Sequence, residues 1–178
     1  LTERPDLTRD AVLEAHARAE SAQQAQTPTM RYRDLLAVVY KRLAERWGLH
    51  ASHEACVAYG RSIADWPAFP DSAEALQYLA RHYKLVILSN VDNESFEASR
   101  RKLGVPFDAV FTAEDIGSYK PAPANFEYMI RNLADMGVAR STILHVAESL
   151  FHDHGPANRH GLSNCWIYRR HDQDGFGA

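Results

Sequence analysis

The feature that most narrows the fold is a short apolar run, Leu85-Val86-Ile87-Leu88, in which apolar and polar residues do not alternate. A strand with one wet face alternates, so an unbroken apolar run predicts a parallel strand buried on both faces. Similar short runs follow over residues 109–112, 143–147 and 165–168, and segments with helical spacing lie around them, over 72–82, 94–103 and 124–136. Strands alternating with helices predict an α/β fold, a doubly wound parallel sheet with a Rossmann-like core. Ligands in such sheets bind beyond the carboxyl ends of the strands. The residues just after each run are therefore the candidates for chemistry.

The first third of the chain has a different pattern. Apolar and small residues recur at helical spacing over 10–24 and 32–47, with Leu35, Leu36, Val39, Tyr40, Leu43 and Trp47 marking one face of the second helix. Thr27-Pro28-Thr29 separates the two, Gly48 closes the second, and a third helix is expected over 52–63. Trp66-Pro67-Ala68-Phe69-Pro70 then interrupts everything, because proline has no N–H to give a helix and clashes with the preceding turn. The expected division is a helical unit, residues 1–66, and an α/β unit, residues 67–178.

Composition removes several classes of function. With 46% hydrophobic and 24% charged residues in 178, the chain is neither disordered nor fibrous. A net charge of -3 and a pI near 6.3, with no Lys/Arg run, give no field for gathering nucleic acid. No apolar run approaches a membrane span, and residues 1–25 are polar and helical in pattern, unlike a signal peptide. A cytoplasmic protein without nucleic-acid or membrane partners is the expectation. Cys56 and Cys165 form no CxxC pair, so buried free thiols are expected in place of a disulfide framework or a zinc site. Cys56 lies in a helical stretch without a glycine-rich turn or an activating base, which argues against a nucleophile. Oligomeric state stays open, a homodimer included.

Three loops carry the candidate chemistry. Ser89 and Asn90 follow the first strand and can hydrogen-bond an anionic substrate without adding charge; alone, the pair is equally a strand cap. In Ser118-Tyr119-Lys120-Pro121-Ala122-Pro123, prolines fix an extended turn and a helix start next to Lys120. A lysine held there can neutralise a carboxylate nucleophile and attract an anion, although most loop lysines are simply solvated. The run ending Ala147-Glu148-Ser149-Leu150-Phe151-His152-Asp153 presents two acids that can hold a metal or position a lysine, or merely favour the next helix N-terminus. His145, His152, His154 and His160 match no common zinc spacing.

Together, in this order and each after its own strand, the three loops resemble the second, third and fourth motifs of the haloacid-dehalogenase-like hydrolase superfamily. The phrases Leu88-Ser89-Asn90-Val91-Asp92-Asn93, Tyr119-Lys120-Pro121 and the Glu148 to Asp153 loop are most similar to type II haloacid dehalogenases. The resemblance implies a core beginning near residue 69 and makes the first helices an inserted cap. It also implies a hydrolase acting on a small anionic substrate such as a 2-haloacid through an aspartyl ester. Lys120 and Asp153 would be catalytic, and Ser89 and Asn90 would hold the substrate's oxygens. Arg31 and Arg33, beside Tyr32, are the candidates for an anion contact from the cap, against the plainer reading of solvated helix-start residues.

Two departures qualify the resemblance. The superfamily's first motif, a strand ending in the nucleophilic aspartate followed by a turn with glycine and threonine, has no match; Leu1-Thr2-Glu3-Arg4-Pro5 is similar to the linker after it. That strand lies mid-sheet, so its absence leaves two inner edges unpaired. A further segment of roughly 30 to 50 residues upstream, a strand with its turn and helix, is the expectation. At the fourth motif, dehalogenases usually have a small hydroxyl residue and an asparagine two positions on, where this chain has Glu148 and Leu150. A dehalogenase needs no cofactor. An acid at 148 instead fits a magnesium-dependent phosphatase, in which Glu148 would bind Mg2+. A non-catalytic binding module on the same fold is the third alternative.

Overall fold

The computed structural model describes residues 7–169, so the expected linker at Leu1 to Pro5 lies outside the described residues. Three helices come first, α1 (Arg9–Gln26), α2 (Tyr32–Arg46) and α3 (His53–Arg61). Side chains set the starts of two of them. The Thr8 hydroxyl accepts the Ala11 N–H at 3.2 Å, and Ser52 accepts that of Ala55 at 3.1 Å, each satisfying a donor that a helix start leaves free. Leu35, Leu36, Val39 and Leu43 form the buried stripe of α2 and cluster with Ile63, Ala113 and Tyr119. Burying each such leucine or valine is worth about 1.5–3 kcal/mol. At Gly60, α3 approaches α2 so closely that a Cβ would lie 2.1 Å from the Arg33 carbonyl oxygen.

A 3-10 turn over Ser62–Asp65 leads into the proline-rich stretch, and α4 (Ser72–Leu79), β1 (Val86–Ser89), α5 (Asn93–Leu103) and β2 (Ala109–Thr112) follow. Next come α6 (Ala113–Ile116), α7 (Pro123–Asp135), β3 (Leu144–Ala147), a π-turn over Leu150–His154, α8 (Gly155–Arg159) and β4 (Ser163–Trp166). The fold is α/β with parallel strands. β1 pairs with β2, Val86 opposite Ala109 and Ser89 opposite Thr112; β3 pairs with β4, Leu144 opposite Ser163 and Ala147 opposite Trp166.

Among the described residues these are two separate pairs, not one sheet. β1 and β3 therefore each keep an unpaired edge. β3 also has unlike faces. His145 is 9% exposed and lies under Phe126 of α7, with ring centroids 5.1 Å apart, whereas Leu144 and Val146 are 58% and 50% exposed on the other side. Phe126, Met129 and Leu133 of α7 fill the covered side with Phe111, Ala157 and Leu162.

Some elements differ from their sequence outline. β1 starts a residue later and takes in Ser89; β4 runs over Ser163–Trp166, two residues ahead of the apolar run, because pairing with β3 sets its register. α6 was hidden in a loop: Thr112 and Asp115 exchange hydrogen bonds with each other's backbone N–H and close one turn. Among the described residues no helix is long and apolar enough to cross a membrane.

Candidate active site

The site is organised around Lys120, which is 8% exposed in the turn before α7. Asn90, just past β1, fixes that turn from both sides. Its Oδ1 accepts the Lys120 main-chain N–H at 2.7 Å, and its Nδ2 donates to the Lys120 carbonyl at 3.0 Å. The peptide between Lys120 and Pro121 is cis. The ammonium donates to Leu88 O at 2.9 Å and to Asp153 Oδ1 at 2.6 Å. One charge thus spans the carboxyl ends of β1 and β3. Ser89 ends β1 between Leu88 and Asn90, half-buried.

Asp153 sits in the π-turn after β3, and its Oδ1 has a second partner, His145 Nε2 at 3.0 Å. A carboxylate only accepts, so Nε2 carries the proton. Burial alone would push the Asp153 carboxyl up; the His145 hydrogen bond together with the Lys120 charge and hydrogen bond outweigh it and hold the carboxyl below its ordinary value. His154 secures the same turn from the other side, with Nδ1 2.8 Å from Asn164 Oδ1 and Nε2 2.9 Å from Ala147 O. His152, just before Asp153, has its Nδ1 3.1 Å from Ser149 Oγ.

The first helices contact the Lys120 turn. Tyr119, beside Lys120, donates its hydroxyl to Met30 O, and its ring lies 6.4 Å from that of Tyr32. Tyr32 donates to Glu20 Oε1 at 2.8 Å. Burial, then the Glu20 carboxylate, push the Tyr32 phenol well above its ordinary value. Asp92 caps α5 through the Ser95 N–H at 2.9 Å and also accepts the Arg33 N–H at 3.0 Å.

Of the residues singled out from sequence, Asn90, Lys120 and Asp153 converge, with Ser89 next to them. Among the described residues, Arg31 and Arg33 pair with acids outside this group. Arg31 Nε pairs with Glu114 at 2.8 Å, and the Arg33 guanidinium pairs with Glu94, so both arginines work along the seam between the helices and the α/β part. Glu148 follows β3, half-buried, and its main-chain oxygen accepts the Trp166 indole N–H at 2.8 Å. Among the described residues no three His, Cys, Asp or Glu side chains converge as a metal site.

Sequence spacing did not reveal His145. Its period-two position opposite Leu144 and Val146 was the available signal, but which face is covered depends on α7.

The site is thus a lysine joining two parallel strands, clamped by an asparagine after the first and an acid after the third. The chain belongs to the haloacid dehalogenase-like hydrolase family, which matches residues 7–151. Among the curated proteins, none matches the chain.

Solved structures share the fold. L-2-haloacid dehalogenase from Xanthobacter autotrophicus, with chloropropionic acid covalently bound, superposes with a TM-score of 0.77 at 22% identity, over 94% of this chain and 69% of that one. The putative HAD-hydrolase YfnB from Bacillus subtilis, bound to magnesium, gives 0.74 at 18% identity, over 97% and 78%. A defluorinating L-2-haloacid dehalogenase gives 0.76 at 18% identity, over 99% and 78%. At such identities the likeness is one of fold.

Proposed function

We propose that the protein is a hydrolase of small anionic substrates, 2-haloacids first, and that it works through an ester to a carboxylate seated beside Lys120. The observation that carries this reading is the position of the Lys120 ammonium. It bonds Leu88 O at the end of β1 and Asp153 Oδ1 in the turn after β3, and both strands have an unpaired edge among the described residues. Among the described residues two of its three donors are used; the third is available to an incoming anion.

The carboxylate comes from a strand that runs parallel between β1 and β3, contributed by a segment outside residues 7–169. The open edges of β1 and β3 support this: a parallel strand there would pair both and end beside Lys120. Its carboxylate oxygen attacks C2 of the haloacid, the new C–O bond forms, and the halide leaves with its bonding pair. Lys120 lowers the pKa of that carboxylate and meets the substrate's own carboxylate, while Ser89 and Asn90 orient its oxygens. Water then opens the ester to release the 2-hydroxyacid. The covalently bound chloropropionic acid in the Xanthobacter autotrophicus dehalogenase agrees with this chemistry on the same fold.

Halide release from 2-chloropropionate and phosphate release from a generic phosphate ester, assayed side by side with and without chelator, test the reading. Halide release that persists in chelator is expected. Phosphate release abolished by chelator, with no halide released, rejects it in favour of a magnesium-dependent phosphatase built on Glu148. Loss of both activities leaves a binding module.

A further inference from the structure

Neither member of the buried ion pair sits on an α-helix or a strand. Lys120 is in the turn before α7 and Asp153 in the π-turn after β3. Their bond joins the ammonium to a single carboxylate oxygen, Oδ1, at 2.6 Å. One bond fixes a distance and leaves the carboxylate free to rotate about it, whereas a second fixes its orientation too.

His145 supplies the second bond. Its Nε2–H donates to the same Oδ1 at 3.0 Å, and it does so from within β3, where His145 stands opposite Asn164 of β4. The ring is itself held. Phe126 lies 5.1 Å from it, centroid to centroid, and stacks in turn on His160 at 5.5 Å. Asn164 ties the other side of the turn, with its Oδ1 2.8 Å from Nδ1 of His154, the residue after Asp153. Two paired strands thus hold an irregular turn from both sides.

On the reading of the site as a hydrolase, we propose that His145 is a positioning residue: its Nε2–H holds the Asp153 carboxylate at the rotation that keeps Oδ1 on the Lys120 ammonium. His145 acts through Asp153 and not on the substrate. Burial pushes the Asp153 carboxyl up, and the His145 bond is the largest of the influences that bring it below its ordinary value. A ring that merely filled space under Phe126 would need its shape and not its donor. Substitutions that keep one and remove the other separate these roles.

The test uses the full-length protein, labelled with nitrogen-15, carrying His145→Gln, His145→Phe or His145→Asn. Glutamine places an N–H near the position of Nε2; phenylalanine keeps a ring under Phe126 without a donor; the asparagine amide stops short of Oδ1. Two readouts are taken. One is the proton–nitrogen NMR signal of the Lys120 ammonium, assigned by its disappearance in Lys120→Met, and the other is halide release from 2-chloropropionate. His145→Gln should recover the parent's ammonium signal and most of its turnover. His145→Phe and His145→Asn, shown folded by thermal melts, should shift that signal or lose it to exchange with water, and lower kcat by about 10- to 100-fold.

Losses in His145→Gln as large as those in His145→Phe overturn the assignment, as do folded Phe and Asn variants that keep both signal and rate. If His145→Phe does not fold, Gln against Asn decides, because the two carry the same amide at different reach. A parent without turnover fails the hydrolase reading, and the ammonium signal, which needs no substrate, then decides by itself whether His145 holds the pair.

Discussion

Lys120 and Asp153 form an ion pair at 2.6 Å with side chains only 10% and 9% exposed, so each is the counter-charge that makes burial of the other tolerable. Removing one partner leaves a buried charge alone, which costs about 3–5 kcal/mol, whereas removing both leaves no charge to strand. Asp153→Asn and Lys120→Met should each lower unfolding stability by about that amount, and the double variant by clearly less than the sum, in a urea-denaturation cycle. Additive losses would contradict the pairing. The pH dependence follows from the lowered Asp153 carboxyl. Its contribution is present above its unfolded value of about 3.9 and is lost as pH falls through the lower folded value, so Asp153→Asn should flatten the stability curve only in that acid window. At this scale the sequence was informative about Lys120, which two prolines hold in place, and about Asp153, an acid just past a strand. The pairings of Arg31 with Glu114 and Arg33 with Glu94 were not legible, because they join residues far apart in the chain that only the folded seam brings together.

The contact between α2 and α3 rests on an absent side chain. Alanine is the better helix former by about 1 kcal/mol, but at Gly60 its Cβ would sit 2.1 Å from the Arg33 carbonyl, a backbone atom that cannot swing aside. Steric displacement wins, at about 1–3 kcal/mol for an overpacked core. Net of the helix gain, up to about 2 kcal/mol is lost, so Gly60→Ala should lower Tm by up to about 8 °C in a thermal melt, given about 2–4 °C per kcal/mol for a chain of this size. An unchanged or higher Tm would contradict the packing. Moving Arg33 also disturbs its N–H bond to Asp92, which joins the helices to the start of α5. Helix and strand types were legible from period and proline placement, as in the stripe Leu35, Leu36, Val39 and Leu43. The two-residue offset of β4 and the π-turn were not. Register there comes from pairing with β3, and the turn is held by Ser149 and His154 side-chain bonds that no local pattern announces.

For the molecule as a whole, the two strand pairs, the exposed Leu144, Val146 and Trp166, and the lysine between strand ends describe one arrangement. A parallel strand between β1 and β3 would pair both free edges and bring a carboxylate to Lys120; we place the nucleophile there. The chain spans 69% and 78% of the Xanthobacter autotrophicus and Bacillus subtilis proteins that share its fold, so those chains carry further segments. The measurement that tests this account most directly is turnover of 2-chloropropionate by the full-length protein in water labelled with oxygen-18, followed by peptide mass mapping. An aspartyl ester opened by water at its acyl carbon puts label into the nucleophile's carboxylate. The account predicts oxygen-18 in an aspartate outside residues 7–169, with Asp153 and Glu148 unlabelled. Label in the released hydroxyacid and in no protein carboxylate after a single turnover would contradict it.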